Sequence, residues 1–320
     1  MKAIVYDEFG PPDILRLADV DPPTPKAHEI LLKVHAASVN PLDWHFIRGE
    51  PAVMRLSGKP KAKIPGADVA GTVEAVGSDV RRFRRGDEVL GSVSGAFAEY
   101  ACGHEDRFAL KPHRVSFEHG AAIPVAGVTA LRALRNYGRL KPGQSVLVNG
   151  ASGGVGTFAL QIAKASGARV TAVCSTAKVD LARSIGADRV IDYTREDFAA
   201  GAQRYDLILD IGGSSTLARL RRVLAENGTL VIVGGEGGDR WFGGMDRQIR
   251  AMLLSMFSKQ KMCTFISTQS TADLLALREL IEARTLAPVV DTTYPLAQAA
   301  AAIRHLAEGR ARGKVVITIP

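Results

Sequence analysis

Ser145-Val-Leu-Val-Asn-Gly-Ala-Ser-Gly-Gly-Val-Gly156 runs on into Thr157-Phe-Ala-Leu-Gln-Ile-Ala-Lys164. The order is an apolar strand, a glycine-rich turn, and a helix with one apolar face. It is the order that sets a pyrophosphate against a helix N-terminus, where unpaired N–H groups and the helix dipole favour negative charge. The glycines fall at 150, 153 and 156 rather than in the commoner G-x-G-x-x-G spacing. Gly153 lets backbone approach a phosphate, and Gly156 lets the helix pack closely on the sheet. A second apolar strand, Ala168-Arg-Val-Thr-Ala-Val-Cys174, follows at the spacing of a βαβ unit.

The end of that second strand bears on which dinucleotide is held. Folds that bind NAD place Asp or Glu there, on the ribose 2′-hydroxyl. Here the residues are Val173-Cys-Ser-Thr-Ala-Lys178, and the next acid along the chain is Asp180. Ser175 and Thr176 can donate to a 2′-phosphate and Lys178 supplies charge, which predicts NADPH. Alternatively Ser175 or Thr176 caps a helix starting near Ala177, with Lys178 solvated. The two readings are compatible, because a capped helix start is already an anion site.

Working outward, the 320 residues are enough for two domains, and the net charge is +8. The basic residues are dispersed apart from Arg81-Arg-Phe-Arg-Arg85. That run precedes Gly86-Asp-Glu88 and reads as a solvated turn between strands, so a nucleic-acid partner is not expected. The N-terminus lacks the apolar core of a signal peptide, and no run is long enough to span a bilayer, so the expected location is cytoplasmic with no membrane partner. Cys102, Cys174 and Cys263 stand far apart and form neither a disulfide framework nor a cysteine-rich zinc lobe.

The first third is rich in short strands separated by Gly and Pro. Lys2–Tyr6, Glu29–His35, Asp68–Val76 and Ala96–Ala101 read as strands of a small antiparallel barrel. From about Ser116 strands and helices alternate. Strands are expected at Arg189–Tyr193, Tyr205–Ile211, Gly228–Gly234 and Lys261–Ile266, giving a parallel doubly wound sheet. Helices near Thr271–Arg284 and Leu296–Glu308 and strands near Pro288–Thr293 and Lys314–Ile319 complete the chain. The expected division is a first domain over 1–122 completed by 265–320, and a nucleotide domain over 123–264. Between Glu236 and Ser258 the pattern is irregular, with an apolar helix at Ile249–Phe257 that reads as a covered helix, a subunit contact or a substrate-side wall.

These residues resemble the medium-chain dehydrogenase/reductase superfamily, and within it the zinc-independent, zeta-crystallin-like quinone reductases. The resemblance covers essentially the whole chain. It is carried by Ala36-Ala-Ser-Val-Asn-Pro-Leu-Asp43, Ile64-Pro-Gly-Ala-Asp-Val-Ala-Gly-Thr-Val73, Gly86-Asp-Glu-Val89, Ala126-Gly-Val-Thr-Ala130 and the Gly150–Gly156 turn. Ala182-Arg-Ser-Ile-Gly-Ala-Asp188, Val190-Ile-Asp-Tyr193 and Gly313-Lys-Val-Val-Ile317 add to it. It implies a GroES-like barrel packed on a Rossmann domain, cofactor and substrate in the cleft between them, and a homodimer through the edge of the nucleotide sheet.

The departures from the zinc-dependent branch bear on the chemistry. Asn40, Ala67 and Gly127 stand where that branch has its Cys, His and Cys ligands, and none of the three can replace thiolate or imidazole. Without a Lewis acid to stabilise an alkoxide, plain alcohol oxidation is not expected. A small-molecule quinone or enone, over which charge delocalises as hydride arrives, is the expected acceptor. The alternatives are a broader carbonyl or alcohol dehydrogenase and a catalytically silent, crystallin-like NADPH-binding protein.

Carried over residue by residue, the resemblance implies that Asn40 faces the nicotinamide or substrate carbonyl. Asp43 belongs to the same motif, as a second catalytic candidate or as structural support. Thr129 is implied to bond the carboxamide, and the backbone of Ser152, Gly153, Gly154, Val155 and Gly156 to hold the pyrophosphate. Ser175, Lys178 and Tyr193 are assigned to the adenosine 2′-phosphate and ribose, although Tyr193 reads equally as a core aromatic. Gly212, Gly234, Gly235 and Lys314 border the cofactor. Trp44, His45 and Arg48 line the substrate mouth, with His45 also readable as structural. No metal site is expected, and the absence of any tyrosine between Tyr6 and Tyr100 argues against the enoyl-thioester reductases, which use a tyrosine donor in this region.

Overall fold

The computed structural model describes residues 1–58, 60, 64–234 and 245–320. The chain divides into two compact units. One comprises Met1–Val128, Thr268–Ala283 and Pro288–Pro320, and the other Thr129–Ser267 with Arg284–Ala287.

The first unit begins with a hairpin of β1 (Lys2–Val5) and β2 (Arg16–Asp19). The long strand β3 (Glu29–Val39) follows, then α1 (Pro41–Arg48). Next come β4 (Asp68–Val76), β5 (Glu88–Ser92), β6 (Tyr100–His104) and β7 (Phe108–Leu110), and the short helix α2 (Phe117–Ala121). Helix α3 (Pro124–Arg132) spans the boundary between the units and runs into a π turn at Ala133–Tyr137. Strand β3 alternates buried and half-buried residues over Glu29–His35, the period of a strand with one face on a core, and becomes wholly buried at its end.

The second unit is the alternating region. It contains β8 (Ser145–Asn149), α4 (Gly154–Ala165), β9 (Arg169–Cys174), α5 (Val179–Ser184) and β10 (Arg189–Asp192). It continues through β11 (Tyr205–Asp210), α6 (Leu217–Val223), β12 (Leu224–Ile232), α7 (Met245–Met256) and β13 (Lys261–Thr264). All its strands are parallel, in the order β10-β9-β8-β11-β12-β13. Strand β8 is buried along its whole length, as expected of a strand with layers on both faces. The core on one side gathers Leu147, Ile208, Leu220 and Leu230 around Tyr205.

The chain then returns to the first unit with α8 (Thr271–Glu282), β14 (Val290–Pro295), α9 (Ala299–Ala307) and β15 (Lys314–Thr318). The larger sheet there has the order β14-β15-β3-β4-β5-β7, with β6 also paired to β3. Its pairs are antiparallel except β14 with β15, which α9 joins as a crossover. The short return segment Arg284–Ala287 is held to α4 by Gln161. The Gln161 amide donates to the Ala287 carbonyl at 2.9 Å and accepts from its N–H at 2.8 Å.

Two expectations need correction. The strand expected at Ala96–Ala101 starts only at Tyr100. The N–H groups of Ala96 and Phe97 instead turn back to the carbonyls of Gly66 and Pro65. Nor does either hydroxyl after β9 cap a helix. Ser175 opens a single 3-10 turn without a side-chain bond, and α5 begins at Val179. The Arg81–Arg85 run forms a turn. Its backbone N–H groups at Arg81 and Arg82 bond the Glu105 carboxylate, and Arg84 and Arg85 pair with Asp87 and Glu74.

Candidate functional site

In the second unit Gly150 takes a left-handed φ of 88°, which turns the chain sharply off β8. Gly156 is closed by sterics. A Cβ there would lie 2.2 Å from the Gly150 carbonyl oxygen, so only glycine lets α4 start against the turn. At Gly153 the situation is the reverse, since the nearest atom to an added Cβ is 3.8 Å away. Gly153 is the N-cap of α4 and makes no side-chain cap. The first-turn N–H groups of Gly154, Val155 and Gly156 have no intrahelical acceptor by the geometry of a helix start. An uncapped helix dipole behind an open glycine fits a pyrophosphate. Ser152 lies buried in the same turn.

At the end of β9 the structure adds a residue that reading along the chain passed over. Asp192 ends β10 in register with Cys174, which puts its carboxylate beside the Ser175–Lys178 turn. Thr176 donates its hydroxyl to Asp192 Oδ2 at 2.5 Å, and Thr194 donates to Oδ1 at 2.7 Å. The Thr176 hydroxyl holds the Asp192 carboxyl below the usual carboxylate range, and the Thr194 contacts add to the effect. This corner therefore carries both Lys178 and a carboxylate. Tyr193 is 61% exposed beside it, so it is not a core aromatic. The signal that could have located Asp192 is the parallel pairing of β9 with β10.

On the other side of the glycine turn, Asn149 Nδ2 donates to Asp210 Oδ1 at 2.6 Å, joining the ends of β8 and β11. Gly212 donates its N–H to the Asn149 carbonyl at 3.1 Å, and Gly234 donates to the Asp210 carbonyl at the same distance. A Cβ at Gly234 would fall 1.9 Å from the Ile211 carbonyl oxygen, so this crossing requires glycine. Gly235 lies outside the described residues, as do residues 236–244 of the irregular stretch that begins at Glu236. Thr129 is buried on α3.

The first unit holds a buried polar cluster centred on Asp68, a residue read from sequence as a strand start within the Ile64–Val73 motif and given no role in the site. Asp68 is wholly buried. Its Oδ2 accepts from the Ser38 hydroxyl at 3.0 Å, from Asn40 Nδ2 at 3.0 Å and from Lys314 Nζ at 3.3 Å. Its Oδ1 accepts from the Val125 N–H at 2.9 Å and the Ser92 hydroxyl at 3.4 Å. Lys314, 3% exposed, also donates to Asn40 Oδ1 at 2.6 Å and to the Val39 carbonyl at 3.1 Å. The Asn40 amide is thus oriented from both ends. Its own N–H donates to Asp43 Oδ2 at 2.7 Å. Burial pushes the Asp43 carboxyl up to about 7, with the nearby Asp68 adding to the rise and the Asn40 N–H opposing it. Burial and then the Asp43 charge push the Tyr6 hydroxyl up.

The remaining candidates form one group on α1. The Trp44 and His45 rings stack with centroids 4.2 Å apart, and the Arg48 guanidinium lies 5.1 Å from the Trp44 ring centre. His45 and Arg48 both reach Glu50, at 3.9 and 3.2 Å. Trp44 packs its apolar body on the barrel core.

Among the described residues no three His, Cys, Asp or Glu side chains converge as a metal site would need. The three cysteines are unpaired, and burial raises each thiol. Among the described residues no helix is long and apolar enough to cross a membrane.

Residues 26–113 match a family model described as the alcohol dehydrogenase GroES-like domain, and residues 185–317 match one described as a zinc-binding dehydrogenase. The chain is 33% identical to a chloroplastic quinone-oxidoreductase homologue of Spinacia oleracea, over 99% of this chain and 98% of that one. It is 34% identical to a 2-methylene-furan-3-one reductase of Solanum lycopersicum, over 99% of this chain and 79% of that one. An Escherichia coli quinone oxidoreductase solved with NADPH superposes with a TM-score of 0.86 at 26% identity, covering 99% of this chain and all of that one. The GroES-like barrel, the Rossmann sheet with its glycine turn, and end-to-end similarity to these reductases agree: the chain belongs to the quinone oxidoreductase branch of the medium-chain dehydrogenase/reductase superfamily.

Proposed function

We propose that this protein catalyses hydride transfer from NADPH to a quinone or an α,β-unsaturated carbonyl, without zinc. The observation that carries the reading is the uncapped start of α4 behind Gly153, where an added Cβ would meet nothing nearer than 3.8 Å, unlike at Gly150 and Gly156. Bound there, NADPH supplies the hydride. The Gly153–Gly156 backbone holds its pyrophosphate, and Ser175, Lys178 and Tyr193 take the adenosine end, where Lys178 favours the 2′-phosphate. Asn40, its amide oriented by Lys314 and Asp68, presents a fixed dipole to the reacting carbonyl, and Thr129 fixes the carboxamide. Trp44, His45 and Arg48 border the acceptor.

The metal-free part rests on chemistry of the donor set. Asn40, Ala67 and Gly127 offer no thiolate or imidazole, although one matching family model is described as zinc-binding. Quinones and conjugated enones need little Lewis-acid help, and the relatives named for both acceptor types favour this class. The protein acts as a cytosolic homodimer in this reading. Ile249, Met252, Leu253 and Met256 recur at helical spacing on α7 and are all exposed, next to the edge strand β13, and a second copy would cover them.

The test is oxidation of NADPH, with NADH in parallel, across benzoquinones, naphthoquinones and simple enones after exhaustive chelation. Turnover that prefers NADPH is the expected result. Activity restored only by added zinc would overturn the metal-free mechanism. Tight NADPH binding with no turnover on any acceptor would favour a silent binding protein. Preference for NADH would assign the Asp192 corner to a free ribose.

A further inference from the structure

Strand β8 leads by way of α4 to β9 on one side, whereas β11 leads by way of α6 to β12 on the other. Asn149 and Asp210, paired in register, therefore flank the point where the strand order reverses, where open parallel sheets take their ligands. Arg247, on α7, reaches this point. Its Nη2 donates to Asp210 Oδ2 and, at 2.8 Å, to the Ser215 carbonyl. Its Nε and Nη1 are buried and meet no acceptor among the described residues.

A guanidinium presents its donors as a flat fork, and Nη2, the donor its two edges share, is already engaged by Asp210 and the Ser215 carbonyl. Burying Nε–H and Nη1–H unmet is costly, and the contact with Asp210 does not require it. Nη1, which points outward beside Nη2, matches an oxygen of a phosphate. The location narrows the ligand. A Cβ on Gly150 would lie 2.7 Å from the Gly212 N–H nitrogen, so the glycine turn and the Asp210 corner are packed backbone to backbone. The Ser175–Lys178 corner belongs to β9, on the opposite side of the turn. A dinucleotide with its adenosine at β9 and its pyrophosphate on α4 brings its nicotinamide half to β11.

We propose that Arg247 is a cofactor-binding residue whose unmet Nη1 takes an oxygen of the nicotinamide-side phosphate while Asp210 holds Nη2. The assignment rests on the NADPH reading above. It predicts a contact shared by NADPH and NADH, unlike that of Lys178.

The test compares wild type, Arg247→Met and Arg247→Lys by calorimetric titration with NADPH, NADH and 2′,5′-ADP, which carries only the adenosine-side phosphates. Melting of each ligand-free variant gives the structural contribution. In R247M both dinucleotides weaken alike, by roughly ten- to a hundredfold, and 2′,5′-ADP binding is unchanged. R247K keeps a cation for Asp210 but not the fork, so it holds the ligand-free melting point and still weakens both dinucleotides. It decides the question if R247M does not fold. Wild-type affinity for NADPH in either folded variant overturns the proposal, as does equal loss of all three ligands. Failure of the wild type to bind NADPH overturns the cofactor reading itself, and this assignment with it.

Discussion

Lys314 Nζ lies 2.6 Å from Asn40 Oδ1, although the two residues are 274 positions apart in the chain. The same ammonium reaches Asp68, so one cation from β15 neutralises the buried acid and fixes which way the Asn40 amide faces. Because Asn40 is the residue assigned to the carbonyl, folding of the first unit and orientation of its reactive dipole depend on the same side chain.

Lys314→Met is the direct check. It leaves Asp68 buried without its cation, a loss of about 3–5 kcal/mol. Urea unfolding should show a lower midpoint with an unchanged slope. Asp68→Asn,Lys314→Met, which removes both charges, should recover much of that stability. It should not recover turnover, because the amide is no longer held. A single variant as stable as the wild type would mean that the pair is not needed for folding.

Asp43 makes stability depend on pH. Its folded carboxyl is raised to about 7, mainly by burial, whereas an unfolded aspartate titrates near 3.8. Between these values the unfolded chain loses its proton first and gains relative to the native state. The contribution of Asp43 therefore lowers stability as pH rises from about 4 to about 7, and it is constant outside that window. Asp43→Asn removes this dependence. Its midpoint relative to wild type should improve from pH 5 to pH 8, by roughly 2–4 kcal/mol. Parallel pH profiles for the two proteins would sink the assignment.

Two alanine substitutions in the glycine turn should part company. Gly156→Ala forces a Cβ onto the Gly150 carbonyl and should lower the melting temperature whether or not ligand is present. Gly153→Ala meets open space and a φ of −82°, which alanine adopts, so ligand-free stability should stay within about 0.5 kcal/mol. Its methyl group stands in the phosphate approach, and NADPH binding should weaken by roughly tenfold or more. Titration of G153A that matches wild type would show that the dinucleotide does not cross this glycine.

Cofactor choice is decided at the corner that Lys178 shares with Asp192. Lys178→Ala should weaken NADPH by roughly ten- to a hundredfold and leave NADH nearly unchanged. Asp192→Asn should move the ratio the other way. It removes a negative charge from the neighbourhood of the 2′-phosphate and keeps an acceptor for the Thr176 hydroxyl. Paired NADPH and NADH dissociation constants read both effects, and the second should diminish at high salt. Equal losses for both cofactors in K178A would remove the 2′-phosphate assignment.

The parallel sheet was legible because strands buried on both faces spell continuous apolar runs, as at Val146-Leu-Val148 and Leu207-Ile-Leu209. The glycine turn was legible because its conformational demands are local. Strand β6 was misplaced because Ala96–Ala101 is a short apolar and aromatic run, and the carbonyls that divert its backbone, on Pro65 and Gly66, lie thirty or so residues earlier. Asp192 was passed over for the same reason. Its position beside Thr176 comes from strand register, not from chain order. Asp68 shows the limit most clearly. In sequence it only opens a strand beside Ala67, where a ligand is lacking, whereas in the fold it is the acceptor on which Ser38, Asn40, Ser92, Val125 and Lys314 converge.

The pairing of β15 with the end of β3 has a consequence for biosynthesis. Ala36–Val39 leaves the ribosome long before its neighbour Val315–Thr318. At ordinary elongation rates the intervening stretch takes roughly 15 to 55 s to translate. Throughout that interval the nascent chain carries an unpaired hydrophobic strand edge, while the intervening nucleotide-binding segment is already complete enough to collapse. Chaperone occupancy on translating ribosomes should therefore concentrate on this part of the barrel, and it should end only when β15 emerges.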